Sequence, residues 1–156
     1  MNKIKVFFDT NVLIYAHDEL SIYHQNSANL LNLVFENKIQ GVIAEQNIIE
    51  IYRILTNPAA MRNKPLTSQE VNKLITEIYL SGTFQVLYPN QLTTEKTLEL
   101  AVNYNCVSAR IFDIRLAGLV ITYPVDYFAT YNTKHFLNIP GLTPMIPEDI
   151  SSILSC

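Results

Sequence analysis

Short runs of β-branched and aromatic residues alternate with longer segments of helical periodicity from one end of this chain to the other. Ile4–Phe8, Ile39–Ala44, Phe84–Leu87, Tyr127–Thr130 and Thr143–Ile146 read as strands. Val12–Ala16 reads as a first helical turn, and Ser21–Asn37 and Gln46–Leu55 as helices, the latter ended by Asn57-Pro58. Thr67 with Glu70 three residues on forms a capping box that opens a helix to Leu80. Further helices run from Thr93 or Thr94 to Tyr104 and over Ala109–Ile121, with a short turn at Lys134–Leu137. The spacing predicts Ile48, Ile49, Tyr52 and Leu55 on one helical side, and Leu98, Ala101 and Val102 facing inward. The helix over 109–121 is expected to be heavily buried. Strands alternating with helices specify an α/β fold, an open and mainly parallel sheet covered on both faces.

A length of 156 residues suits a single domain, expected over residues 1–150 with 151–156 as a C-terminal tail. Hydrophobic residues make up 49% and charged residues 16%, which excludes intrinsic disorder. The longest apolar stretches fall far short of the roughly 18 residues needed to span a bilayer, and the N-terminus lacks the pattern of a secretory signal, so a cytoplasmic location is the expectation. Cys106 and Cys156 match no metal-binding or disulfide spacing and are expected as reduced thiols. A net charge of −3 and a pI near 5.5 argue against gripping nucleic acid with the whole surface. A local basic patch remains open: from Ile51 to Gln69 there are Arg53, Arg62 and Lys64 and no acid, while Arg110 and Arg115 flank Asp113.

In such sheets ligands bind beyond the carboxyl ends of the strands, which directs attention to Asp9, to the region after Ala44 and to the region after Thr130. Asp9 follows Val6-Phe7-Phe8 directly, where it could equally cap the next helix; Asn11 shares that ambiguity. Glu50 lies beside an apolar helical stripe, where a rim residue reaching to water is the simpler role. Asp113 stands within Ile111-Phe112-Asp113-Ile114, where a carboxylate must be paired, cation-bound or protonated. Three such carboxylates on one sheet edge would repel one another and stay ionised only around a hard cation such as Mg²⁺ or Mn²⁺. No Cys or His cluster competes for the metal.

Four segments, in order, resemble the motifs of PIN-domain nucleases, the family that includes VapC-type toxins of toxin–antitoxin pairs. Phe8-Asp9-Thr10-Asn11-Val12-Leu13-Ile14-Tyr15-Ala16 resembles the opening signature, and Glu50-Ile51-Tyr52-Arg53-Ile54-Leu55-Thr56-Asn57-Pro58 the second motif. Phe112-Asp113-Ile114-Arg115-Leu116-Ala117 resembles the third, and Tyr127–Phe136 the strand and turn that close the pocket. The resemblance spans about residues 4–137. It implies a three-layer α/β/α sandwich around a mainly parallel four- or five-stranded sheet. It also implies a metal-dependent endoribonuclease in which Asp9, Glu50 and Asp113 hold Mg²⁺ or Mn²⁺ and Thr130 assists through its hydroxyl. Where the family often has a fourth acid, this chain has Asn132, which removes one negative charge and weakens any second metal. An RNA substrate, a small antitoxin partner and a homodimer follow by the same analogy, with Ser21–Phe35 and Val71–Leu80 as helices that could supply an interface.

Other readings are narrower. A phosphohydrolase of the haloacid-dehalogenase kind needs a second Asp two residues after the first, and that residue is Asn11. A receiver domain needs adjacent acids before its first helix and a late Lys after a strand, and neither is evident. A catalytically weak or inactive binding module is the remaining alternative. Arg53, Arg110 and Arg115 could contact phosphates or pair with Glu50 and Asp113, His135 could touch a phosphate, and Tyr15, Tyr52 and Tyr131 could stack bases or serve the core.

Overall fold

The computed structural model describes residues 2–156. Five strands, β1 (Lys5–Phe8), β2 (Gln40–Ala44), β3 (Gln85–Leu87), β4 (Tyr127–Ala129) and β5 (Pro144–Met145), form one sheet in the order β3-β2-β1-β4-β5. Every pairing is parallel, with Phe7 of β1 opposite Val42 of β2 on one side and Phe128 of β4 on the other. Pro144, which cannot donate to a ladder, lies in the edge strand, where Pro is tolerated.

The helices are α1 (Thr10–His17), α2 (His24–Phe35), α3 (Glu45–Leu55), α4 (Ser68–Leu74), α5 (Gln91–Asn103), α6 (Ile111–Thr122) and α7 (Pro147–Leu154). Because successive strand side chains point to opposite faces, β1 feeds two cores. Val6 and Phe8 join α1, α2, α3, α4 and α7 through Leu13, Leu30, Ile51, Val71 and Ile150. Phe7 joins α5 and α6 on the other face through Leu100, Ile114, Ala117 and Val120. The result is the expected α/β/α layering, with five strands rather than four.

The strands and most helices fall where their periodicity predicts, and five details differ. The helix expected to Leu80 changes after Leu74 to a wider turn over Ile75–Tyr79, closed by Leu80 N–H donating to the Ile75 carbonyl, and the Thr67–Glu70 capping box is present. The inward face of α5 is Thr93, Thr97 and Leu100, whereas Leu98 and Val102 are exposed. On α3, Ile51 and Leu55 are buried while Ile49 is 59% exposed and Tyr52 is exposed as well, so the stripe is rotated toward Ile51. The apolar sides of Ser21–Phe35 and Val71–Leu80, expected as possible interfaces, are used largely by the core: Leu30, Leu31 and Val34 of α2, Val71 of α4 and Ile75 of the wider turn are buried. Finally, residues 151–154 are helical rather than a tail. Pro147 opens α7 at a position where its missing N–H is not needed, and Ile150 anchors the helix in the core.

Candidate active site

With the strand order reversing between β1 and β4, the crevice beyond their carboxyl ends is the topological switch point of the sheet. Asp9 is the first residue beyond β1, and its N–H continues the ladder to the Ala129 carbonyl of β4 at 2.9 Å. Its side chain does two jobs. Oδ1 caps α1 by accepting from the Thr10 N–H at 2.8 Å, and Oδ2 accepts from the Thr130 hydroxyl at 2.8 Å. Asn11 adds a longer contact to Oδ2 and accepts from the Tyr131 N–H through its own oxygen. Thr130 is fully buried behind Asp9, and its oxygen in turn accepts from the Asn132 N–H. Capping and site placement, alternatives in the sequence, are here the same hydrogen-bonded arrangement.

A buried Asn links this corner to α3. Asn47 accepts from the Ala44 N–H at 2.7 Å and donates to the Thr10 hydroxyl at 2.9 Å, fixing the start of α3 against the start of α1. One residue earlier on α3, Gln46 is buried against α6. Its Nε2 donates to Glu50 Oε1 at 2.6 Å and to the Phe112 carbonyl at 3.1 Å, while its Oε1 accepts from Arg115 at 3.2 Å. Glu50 is half-buried, and its placement opposite α6 passes through this one amide. Neither Gln46 nor Asn47 carries a sequence signal that separates it from an ordinary helix-surface residue.

Asp113 occupies the first turn of α6, where the exposed N–H groups of a helix start favour a carboxylate. It is less buried than the sequence implies, its side chain 30% exposed, and Phe112 beside it is 56% exposed. Its Oδ2 is 2.9 Å from His135 Nδ1 in the turn after β4. None of the arginines flanking these acids pairs with Glu50 or Asp113 among the described residues. Arg110 donates to the His135 carbonyl, and Arg115 reaches Gln46. The stretch before α6, Ser108–Arg110, is a tight turn with Ser108 in the left-handed region.

Asp9, Glu50, Asp113, Asn11 and Asn132 line one cleft of about 390 Å³. A second hollow of about 670 Å³ continues past Glu50 and Asp113 along Ile49, Arg53, Phe112 and Arg115. The acids share an electrostatic environment. Burial pushes the Asp9 carboxyl up to about 6, the hydrogen bonds from Thr130 and Thr10 hold it lower than burial alone would, and the charges of Asp113 and Glu50 push it up further. Among the described residues no three Asp, Glu, His or Cys side chains converge closely enough to chelate an ion; Glu50 is held by Gln46 and Asp113 by His135.

The sequence matches the PIN domain family over residues 5–133. The chain belongs to that family. A search among curated proteins finds no match. Among solved structures, its fold is similar to a toxin–antitoxin complex from Klebsiella pneumoniae (TM-score 0.60, 19% identity, 91% of this chain and 97% of that one). It is also similar to VapC20 of Mycobacterium tuberculosis, a sarcin–ricin loop cleaving toxin (TM-score 0.63, 12% identity, 84% and 92%). A third is DNA-bound VapBC from Salmonella typhimurium (TM-score 0.64, 15% identity, 92% and 98%). At these identities the likeness is one of fold.

Proposed function

We propose that this PIN-domain chain is a metal-dependent endoribonuclease that hydrolyses RNA phosphodiester bonds, and that it is the toxin of a toxin–antitoxin pair. The observation that carries this reading is the gathering of Asp9, Glu50 and Asp113, remote in sequence, around one cleft at the switch point of the sheet. An all-oxygen donor set suits a hard cation, Mg²⁺ or Mn²⁺, which would have to draw the three side chains closer together than they stand. The hydrogen bonds fit as well: Glu50 and Asp113 each have one oxygen engaged by a protein donor, and none reaches Glu50 Oε2 or Asp113 Oδ1 among the described residues. When bound, such a cation supplies polarisation of the phosphoryl oxygen and a more acidic water for in-line attack.

The protein's own residues do the rest. Thr130 orients Asp9 from behind and holds it against rotation, Gln46 aims Glu50, and His135 aims Asp113. Asn132 offers an amide in the cleft without adding charge. The hollow beside Glu50 and Asp113, with Arg53, Arg115 and exposed Phe112, has the cations and the aromatic face that a single-stranded or looped RNA uses. An antitoxin partner is supported by the toxin–antitoxin complexes that share the fold. The antitoxin, or a second copy of this chain in a homodimer, would cover the apolar side chains left exposed on α3, α5 and α6. A cytoplasmic setting fits this reading, and no helix among the described residues is long and apolar enough to cross a membrane.

The second reading, a binding module with weak or no catalysis, draws on Asn132 and on the separate restraint of Glu50 and Asp113. Incubating mixed RNA with the chain and Mn²⁺, with and without EDTA, decides between them. The nuclease reading expects cleavage that EDTA abolishes and that Asp113→Asn reduces by about a hundredfold or more, beyond what outer-shell changes typically cost. Intact RNA at every Mn²⁺ concentration would leave the binding module.

A further inference from the structure

The cleft that holds the three acids is also lined by Asp18 and, among the described residues, by a single cationic side chain, Arg62. Any polyanion entering it meets four carboxylates and one guanidinium. Arg62 is fastened by Asp18 in an asymmetric way. One nitrogen, Nη1, donates to both Asp18 oxygens, at 3.0 and 2.9 Å, and Nη2 and Nε have no hydrogen-bond partner among the described residues. Asp18 itself is held at the end of α1, its side chain only 12% exposed and its Oδ1 accepting from the Leu20 N–H. The segment that delivers Arg62 is braced at both ends. Asn57 accepts from the Ala59 and Ala60 N–H groups, Asn63 N–H donates to the Pro58 carbonyl, and Leu66 N–H donates to the Leu55 carbonyl. Arg62 and Asn63 are both in the left-handed region, with φ of 53° and 61°, a conformation costly for two consecutive residues with side chains.

A guanidinium presents planar pairs of N–H donors that match phosphate oxygens, and fixing one nitrogen leaves the Nη2–Nε edge as such a fork. We propose that Arg62, positioned by Asp18, is a phosphate clamp that engages the RNA backbone beside the scissile bond. This inference rests on the nuclease reading and deepens it, assigning a residue that contacts substrate rather than metal. Asp18 is the positioning residue. It offsets the charge of the guanidinium while no RNA is bound and keeps it within the cleft.

Steady-state cleavage of a short labelled single-stranded RNA in Mn²⁺, over a series of KCl concentrations, tests this with the intact chain. Arg62→Gln is expected to raise KM roughly tenfold, the scale of one charge-assisted hydrogen bond, with kcat changed by less than about threefold. The slope of log(kcat/KM) against log[KCl] should become shallower by about 0.7, the value for one phosphate contact on a single strand. Arg62→Lys keeps the charge and should retain the slope while recovering only part of the affinity. Lys96→Gln, on α5 away from the cleft, matches the change in net charge and should alter neither quantity. Mn²⁺ affinity measured without RNA should be the same in the wild type and in Arg62→Gln. If the wild type cleaves RNA and Arg62→Gln keeps its KM and salt slope, the clamp is wrong and the nuclease reading stands. An equal loss in Lys96→Gln also overturns it, because net charge would then account for the effect. No cleavage by the wild type removes both.

Discussion

Asp9 is a carboxylate placed where ionisation is costly: buried, facing two other acids, and relieved only partly by Thr130 and the Thr10 N–H. A group whose folded pKa, about 6, lies above its unfolded value of 3.8 stabilises the fold most when protonated. Its contribution is therefore complete below pH 3.8 and is lost as pH rises through 6. His17 works in the opposite sense over nearly the same range. Burial, with a smaller contribution from the charge of His24, lowers it to about 4, so its contribution is present above its ordinary 6.5 and lost as pH falls through 4. Wild-type stability alone cannot separate the two, but the difference from Asp9→Asn can. In EDTA, the stability of Asp9→Asn relative to wild type is expected to rise between pH 4 and 7 by up to about 3 kcal/mol, read from urea denaturation. A flat difference would mean that Asp9 ionises in the fold as freely as in the unfolded chain. At the same scale, Gln46→Met keeps the buried volume but removes every polar contact that aims Glu50. Its Mn²⁺ affinity should fall by roughly 10- to 100-fold. Gln91→Met, which removes a matching contact from Nε2 to Glu95 Oε1 at 2.9 Å on α5, should leave it unchanged.

Between elements, the site depends on how closely helices approach the sheet and one another. At Gly118 a Cβ would lie 2.7 Å from the Thr97 hydroxyl oxygen and 3.3 Å from the Thr97 backbone nitrogen, and that hydroxyl is tied to the Thr93 carbonyl at 2.9 Å. Gly118→Ala sets two effects against each other: a helix-propensity gain of about 1 kcal/mol and an overpacking penalty of about 1–3 kcal/mol. With Thr97 locked, overpacking dominates. A net loss of about 1–2 kcal/mol is expected in urea denaturation with an unchanged m-value; a gain would show that α5 and α6 separate without cost. This scale is also where sequence reading stops. The run Val6-Phe7-Phe8 directly before Asp9 makes β1, and the place of an acid at its carboxyl end, legible. The rotation of α3 and α5 is not, because Ile49, Tyr52, Leu98 and Val102 are apolar yet exposed, and periodicity cannot separate a core stripe from uncovered apolar surface. Helix α7 carries little sequence signal, because its eight residues offer only Ile150, Ile153 and Leu154 as an apolar pattern. In the fold it braces the end of β4, with Glu148 accepting from the Tyr131 hydroxyl and the Asn26 amide.

Across the whole molecule, a net charge of −3 and a cleft rich in carboxylates are poor starting conditions for binding a polyanion. If the proposed function holds, the opposing charges are local: a hard cation among Asp9, Glu50 and Asp113, Arg62 at the cleft wall, and Arg53 and Arg115 in the adjoining hollow. That Asp9, Glu50 and Asp113 line one cleft is legible through the ordered family motifs, since the local pattern around Asp9 and Glu50 fits a helix cap and a rim residue as well. The amide of Gln46 and the imidazole of His135 are not legible, since their roles exist only once α3, α6 and the turn after β4 are brought together. The most direct test is calorimetric titration of the metal-free chain with Mn²⁺, alongside Asp9→Asn, Glu50→Gln and Asp113→Asn. Saturable uptake of about one ion per chain is expected, weakened by ~tenfold or more in each variant. Uptake that all three variants leave unchanged, or no uptake at millimolar Mn²⁺, would contradict the proposed function.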